Sequence, residues 1–243
     1  MKPFDIRMMP QRSDEWFQAR AGRLTGSDAV SVMSAANDRS KMREDIGIKE
    51  SEPRYSLRYK LALERVTGRS WEPRFTARST YDGIQREPAA LAAFEEARNE
   101  CVFSAGFFAH RELMTGLSPD GYLGNVDELI ECKCFGWKEH LEALRPSYEI
   151  DREIHAQLMH GLWLTGAKAT HLVFYNPEFP VDLRLKILTL RMKDKETKLA
   201  NVIYSGRAEL FLEDTLKAVA ALGALAQPQA VETVEEVAAE AQS

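Results

Sequence analysis

Ser118-Pro119-Asp120-Gly121, followed by Ile130-Glu131-Cys132-Lys133, holds the residues best suited to chemistry. Pro, Asp and Gly in succession favour a turn. Glu131 and Lys133 stand two apart in the apolar run 129–134, which reads as a strand, so both side chains leave the same face. Ile130, Cys132 and Cys134 take the other face and suit burial. A hairpin of this length returns Glu131 beside Asp120, which sets two carboxylates and one ammonium on one face of a sheet. A hard divalent ion such as Mg²⁺ needs only one or two such carboxylates, with waters and a phosphate oxygen completing its shell. The ion lowers the pKa of a bound water and stabilises charge on the phosphate. A lysine orients that water and offsets the developing negative charge. The chemistry implied is hydrolysis of a phosphodiester. Taken singly, SPDG is most often a plain turn and Glu-x-Lys most often a surface ion pair. Their combination carries the reading.

The surrounding elements must position these groups. Residues 13–33 read as two helices: the first is capped by Ser13 and the second by Ser27, after a break at Thr25-Gly26-Ser27. Residues 34–53 are polar and unpatterned and read as a loop. Residues 56–68 form an amphipathic helix on Leu57, Leu61, Leu63 and Val66, stopped by Gly68. Residues 82–98 read as a helix with Pro88 tolerated in its first turn. Strands follow at 101–109 and 113–117, a turn region at 120–127, the strand 129–134 and a helix at 153–164. Strands at 171–175 and 183–190 lead into a long helix at 193–222. This order predicts an α/β fold, a central mixed β-sheet flanked by helices. Residues 1–226 are expected to form one domain. Residues 227–243 begin with Gln-Pro, lack aromatics and hold four glutamates, so a flexible acidic tail is expected.

Composition sets the broad class. The chain has 243 residues, 44% hydrophobic and 28% charged, enough for a sizeable core in a soluble domain. No run of about 18 apolar residues implies a membrane span. The N-terminal stretch has no apolar signal-peptide core, so the expected location is the cytoplasm of a host cell. Three cysteines, Cys101, Cys132 and Cys134, make no disulfide framework. The net charge of −5 is unexpected for a DNA-binding protein, but residues 53–86 carry eight Arg or Lys against three acids. A local basic surface of that kind attracts phosphate whatever the total. The histidines, His155 and His160 among them, read as structural or peripheral rather than as metal ligands.

Further motifs line up with the hairpin. Trp16-Phe17-Gln18-Ala19-Arg20, Leu24-Thr25-Gly26-Ser27, Gly83-Ile84-Gln85-Arg86-Glu87, Ser118-Pro119-Asp120-Gly121, Glu131-Cys132-Lys133-Cys134 and Ala156-Gln157-Leu158 with Trp163 occur in that order. Together they resemble the lambda exonuclease or YqaJ-like viral recombinase family, the phage-type alkaline exonucleases of the PD-(D/E)xK nuclease superfamily. The likeness spans about residues 13–175. It implies a restriction-endonuclease-like core and a 5′→3′ exonuclease acting on double-stranded DNA ends. By the resemblance, Asp120, Glu131 and the Cys132 backbone carbonyl hold Mg²⁺, with Mn²⁺ as a substitute. Glu87 would help hold a second ion, and Lys133 would position the attacking water. Arg20, Ser27, Ser118 and Gln157 would hold the 5′-terminal phosphate, an assignment that suits a guanidinium fork, two hydroxyls and an amide. The resemblance further implies a homotrimer ring and a single-strand annealing protein as partner. Three cysteines cannot supply the four thiolates of an iron–sulfur cluster, so none is expected. A site-specific or structure-specific endonuclease and a non-catalytic DNA-binding protein are the alternatives. The phosphate-binding set argues against the first, and the intact Asp120, Glu131 and Lys133 against the second.

Overall fold

The computed structural model describes residues 2–72 and 78–225, with side chains in the second stretch from Gly83 onward. The elements run β1 (Phe4–Arg7), α1 (Asp14–Arg20), α2 (Ala29–Val32), β2 (Lys41–Arg43), β3 (Ile48–Glu50), α3 (Glu52–Thr67) and α4 (Arg78–Arg98). They continue β4 (Phe107–His110), β5 (Gly116–Leu117), β6 (Gly121–Leu123), β7 (Glu128–Lys133), α5 (Trp137–Leu144), α6 (Arg152–Thr165), β8 (Ala169–Tyr175), β9 (Leu185–Arg191) and α7 (Lys195–Leu225).

The sheet that carries the candidate chemistry has the order β6-β7-β8-β9. β6 and β7 run antiparallel, β7 and β8 parallel, β8 and β9 antiparallel, so the sheet is mixed as expected. The parallel pair needs a crossover, which α5 and α6 supply. Six of the seven residues of β8 are buried, as a strand covered on both faces requires. On one face, Ala90 and Phe94 of α4 pack against Ile130, Cys132 and Val173. On the other, Leu129, Leu172 and Phe174 join Leu158 and Leu162 of α6 and Tyr204 and Phe211 of α7. A second antiparallel sheet, β1-β4-β5, stands beside it.

The structure departs from the sequence reading in several places. Residues 34–53 are not loop throughout: β2 and β3 pair as a hairpin within them, pinned by the buried Glu50, which bonds Arg54 and Arg58. The second N-terminal turn is capped by Thr25 through a reciprocal box with Asp28, not by Ser27. Pro88 lies deep inside α4, which begins at Arg78, so the carbonyl of Ile84 loses its helical donor. β1 and α5 were not anticipated. In the stretch 101–109 the continuous strand begins only at Phe107, after a single antiparallel bridge from Phe103 to Tyr122, and β6 lies within the stretch read as a turn. Arg54 and Arg58 of the basic stretch point inward to Glu50, Asp45 and Asp214, and so serve the fold rather than a DNA surface. Arg74 and the tail from Gln227 lie outside the described residues.

His160 ties α6 to its neighbours. It is fully buried. Its Nε2–H donates to the Gly116 carbonyl at 2.9 Å, which leaves Nδ1 to accept from the Tyr204 hydroxyl at 2.8 Å. Burial pushes its pKa down from 6.5 to about 4, with Asp28 opposing and Arg20 assisting. A depressed folded-state pKa means that the unfolded chain takes up this proton first as the pH falls. The stabilisation is therefore complete above pH 6.5 and is lost towards pH 4, about 2 kcal/mol of it by pH 5. Urea unfolding at pH 7 and pH 5 should show His160→Asn to be less stable at pH 7 but less sensitive to the drop. An equal loss in both proteins would remove His160 from the account.

Candidate active site

The hairpin register brings the first two carboxylates together. Gly121 pairs with Ile130, so Asp120, one residue before β6, stands across from Glu131. The Cys132 N–H donates to Asp120 Oδ2 at 2.6 Å and fixes that carboxylate at the strand edge. Glu131 is 8% exposed, and its Oε1 accepts from Lys133 Nζ at 2.9 Å and from Gln157 Nε2 at 2.6 Å. Lys133 Nζ also donates to Gln157 Oε1 at 3.1 Å. Glutamate, lysine and glutamine thus form a closed triangle. Gln157 comes from α6, and Gly26 leaves it room: a Cβ there would lie 3.2 Å from Gln157 Cγ.

The electrostatics are those of crowded carboxylates. Burial pushes the pKa of Asp120 well above the usual range, and the charges of Glu131 and Glu87 add to it. Glu87, from α4, is raised chiefly by burial, with Glu131 adding to the rise and Arg12 and Lys133 opposing it. Burial works to lower Lys133, but Glu131 and Asp120 outweigh it and hold the ammonium form. Burial pushes the Cys134 thiol up to about 12 and Cys132 higher still, so neither is a ready thiolate.

A second group of donors surrounds Arg20, which is 8% exposed. Its guanidinium lies 4.1 Å above the Trp16 ring. Nη2 reaches the hydroxyls of Thr25 and Ser27, each at 3.3 Å. Nε and Nη2 each meet a carboxylate oxygen of Glu72 at 2.9 Å. Trp16 Nε1 donates to the Ser118 hydroxyl at 2.8 Å, which leaves that hydroxyl its own proton to give.

Both groups line one cavity of about 680 Å³. Arg20, Ser27, Ser118, Gln157, Glu87, Asp120, Glu131, Cys132 and Lys133, all singled out from the sequence, line its wall. Gln157 is held by Glu131 and Lys133 rather than by Arg20, so it stands between the two groups. Sequence reasoning missed Arg12, Gln11 and Glu72, which also line it. Arg12 adopts a left-handed backbone, φ 68°, which is uncommon away from glycine and carries no sequence signal.

The site's chemistry suits a hard divalent cation. No three His, Cys, Asp or Glu side chains gather into a ready-made cage among the described residues. Magnesium, however, takes few protein carboxylates and keeps several waters. Asp120 and Glu131 could supply that set, and added positive charge would offset the burial and the neighbouring carboxylate charges that hold Asp120 up.

Comparisons with known proteins give the family and the fold. The description "YqaJ-like viral recombinase domain" matches residues 15–168, from the Arg20 helix through the strand of Glu131 to α6. No curated protein matches the sequence. Among solved structures, the alkaline exonuclease LHK-Exo from Laribacter hongkongensis superposes with a TM-score of 0.70 at 23% identity, over 88% of this chain and 98% of that one. The same protein in complex with dAMP gives 0.71 at 24% identity and the same coverage. A phage-related exonuclease from Haemophilus somnus 129PT gives 0.51 at 13% identity, over 80% of this chain and 94% of that one. These likenesses establish the fold. The family match covers well over half the sequence, and the chain belongs to the YqaJ-like viral recombinase family.

Proposed function

We propose that this protein is a Mg²⁺-dependent 5′→3′ exonuclease that shortens one strand of double-stranded DNA from its end. It would release mononucleotides and leave 3′ single-stranded overhangs. The observation that carries this reading is the single cavity joining Asp120, Glu131 and Lys133 to Arg20, Ser27 and Ser118. A hydrolytic centre alone would suit any nuclease. A basic fork with hydroxyls in the same cavity suits an enzyme that anchors a terminal phosphate and cuts beside it. The dAMP complex of LHK-Exo, a mononucleotide on the same fold, is in keeping with it.

Each residue then has a task. Asp120 and Glu131, with the Cys132 carbonyl and Glu87, would hold the ions; these would supply an acidified water and neutralise charge on the phosphate. Lys133 has three N–H donors, of which Glu131 and Gln157 take two, leaving one for the water or a phosphate oxygen. Gln157 keeps the lysine and glutamate aligned. Arg20, Ser27 and Ser118 would seat the 5′-phosphate. The proposed assembly is a homotrimer around the DNA, working in a host cytoplasm with a single-strand annealing protein. Leu199, Val202, Ile203 and Leu210, exposed along α7, are an apolar face that such contacts would cover. No helix among the described residues is long and apolar enough to cross a membrane.

The test is digestion of linear duplexes with 5′-phosphate or 5′-hydroxyl ends beside a closed circle, with Mg²⁺ or EDTA. Loss of phosphorylated linear DNA in Mg²⁺ alone, with the circle intact, is expected. Cutting of the circle would identify an endonuclease of the same superfamily. No cutting in any arm would reduce the protein to a DNA-binding role.

A further inference from the structure

Arg20 already holds an anion. Its Nε and Nη2 grip the two carboxylate oxygens of Glu72 side by side, each at 2.9 Å. That paired geometry is the one a guanidinium uses for a phosphate. Another buried arginine pair is different in kind. Arg58 and Glu50 are both 0% exposed and join β3 to α3. Glu72 is 25% exposed against 8% for Arg20, and both line the cavity of Asp120 and Lys133. The acid is therefore the outer partner, on the side from which a ligand arrives.

Glu72 is delivered to this place by a short tether. The buried Glu64 of α3 accepts the Gly22 N–H at 2.7 Å with one oxygen and the Trp71 N–H at 2.7 Å with the other. It thus binds the end of α1, which carries Arg20, and the residue before Glu72 to one carboxylate. The Glu72 N–H donates to Ser70 Oγ at 3.2 Å.

We propose that Glu72 is a specificity-determining residue: its carboxylate occupies the seat of the 5′-terminal phosphate on Arg20, and an incoming phosphate must displace it. The inference rests on the reading of Arg20 as the terminal-phosphate anchor. A phosphate monoester carries close to two negative charges and three acceptor oxygens, against one charge and two oxygens for the glutamate, so it wins the exchange. A 5′-hydroxyl end offers Arg20 nothing in return and leaves Glu72 in place. The carboxylate also closes over the guanidinium once a mononucleotide leaves. Arg20 is then never buried without a partner, a state that is costly for a desolvated charge.

The test measures binding of a short duplex with one 5′-phosphate or one 5′-hydroxyl, in EDTA. Glu72→Ala and Glu72→Gln should each bind the phosphorylated duplex about tenfold more tightly than the parent protein, the scale of one lost competing charge pair. Affinity for the hydroxyl duplex should stay within about twofold, since that end never displaces Glu72. Inorganic phosphate should compete at correspondingly lower concentration. Unchanged affinity in both variants would overturn the inference. Weaker binding of the phosphorylated duplex would also overturn it, because Glu72 would then be a mere support for Arg20. Arg20→Gln separates the two levels of the argument. If it removes the phosphate advantage while the Glu72 variants change nothing, only the Glu72 inference fails. If it leaves that advantage intact, or the parent protein has none, the anchor reading fails and the inference falls with it.

Discussion

Replacing Lys133 with alanine should slow duplex digestion by about a thousandfold, the upper range for losing one donor aimed at developing charge. DNA binding in EDTA should change little, because most duplex affinity comes from contacts along the phosphate backbone. The fold should also persist. Lys133 is one-fifth exposed, and its bonds to Glu131 and Gln157 are shared with a third bond between those two. Loss of the ammonium leaves Glu131 with the Gln157 amide as donor, so the carboxylate keeps a partner. Lys133→Arg should not restore the rate, since a planar fork cannot meet Glu131, Gln157 and a water in three directions. Single-turnover digestion, thermal melting and binding measured on the same preparation decide the matter. A variant that folds, binds and still turns over would remove Lys133 from the mechanism.

The legible part of the site was the part carried by local geometry. The two-residue period of a strand put Glu131 and Lys133 on one face and Ile130 and Cys132 on the other. β7 bears this out, with Ile130 and Cys132 packed against α4. Hairpin length put Asp120 opposite Glu131, and the register Gly121 with Ile130 agrees. Trp16 and Arg20 are four apart on a helix, hence neighbours, and the ring lies under the guanidinium.

What stayed hidden depended on long-range contacts. The β2-β3 hairpin is polar and short, and it is tied to α3 by the buried Arg58, which meets Asp45 and Glu50, a tie that no alternation of residue types reveals. The eight cations of residues 53–86 looked like a DNA surface by density alone. Asp45, Glu50 and Asp214, from outside that stretch, take two of them inward. Glu72 was one acid among many basic neighbours. Its role becomes visible only when Glu64 brings α1 and the end of α3 together.

Arg20→Ala should abolish the preference for phosphorylated ends without abolishing the chemistry. Digestion of 5′-phosphorylated duplex should fall by about a hundredfold, the cost of a bidentate charge-assisted pair, while 5′-hydroxyl duplex changes by less than about threefold. The asymmetry follows from position: Arg20 shares the cavity with Asp120 and Lys133 but bonds Glu72, Thr25 and Ser27 rather than the hydrolytic triangle. Melting must be checked in parallel, because the substitution also uncovers the Trp16 ring and leaves Glu72 unpaired. Equal loss on both kinds of end would mean that Arg20 supports the site as a whole. A double-mutant cycle sharpens the result. Glu72→Ala should tighten phosphate binding only where Arg20 is present, so in the Arg20→Ala background it should have no effect. A persistent effect there would place the action of Glu72 somewhere other than the guanidinium it touches.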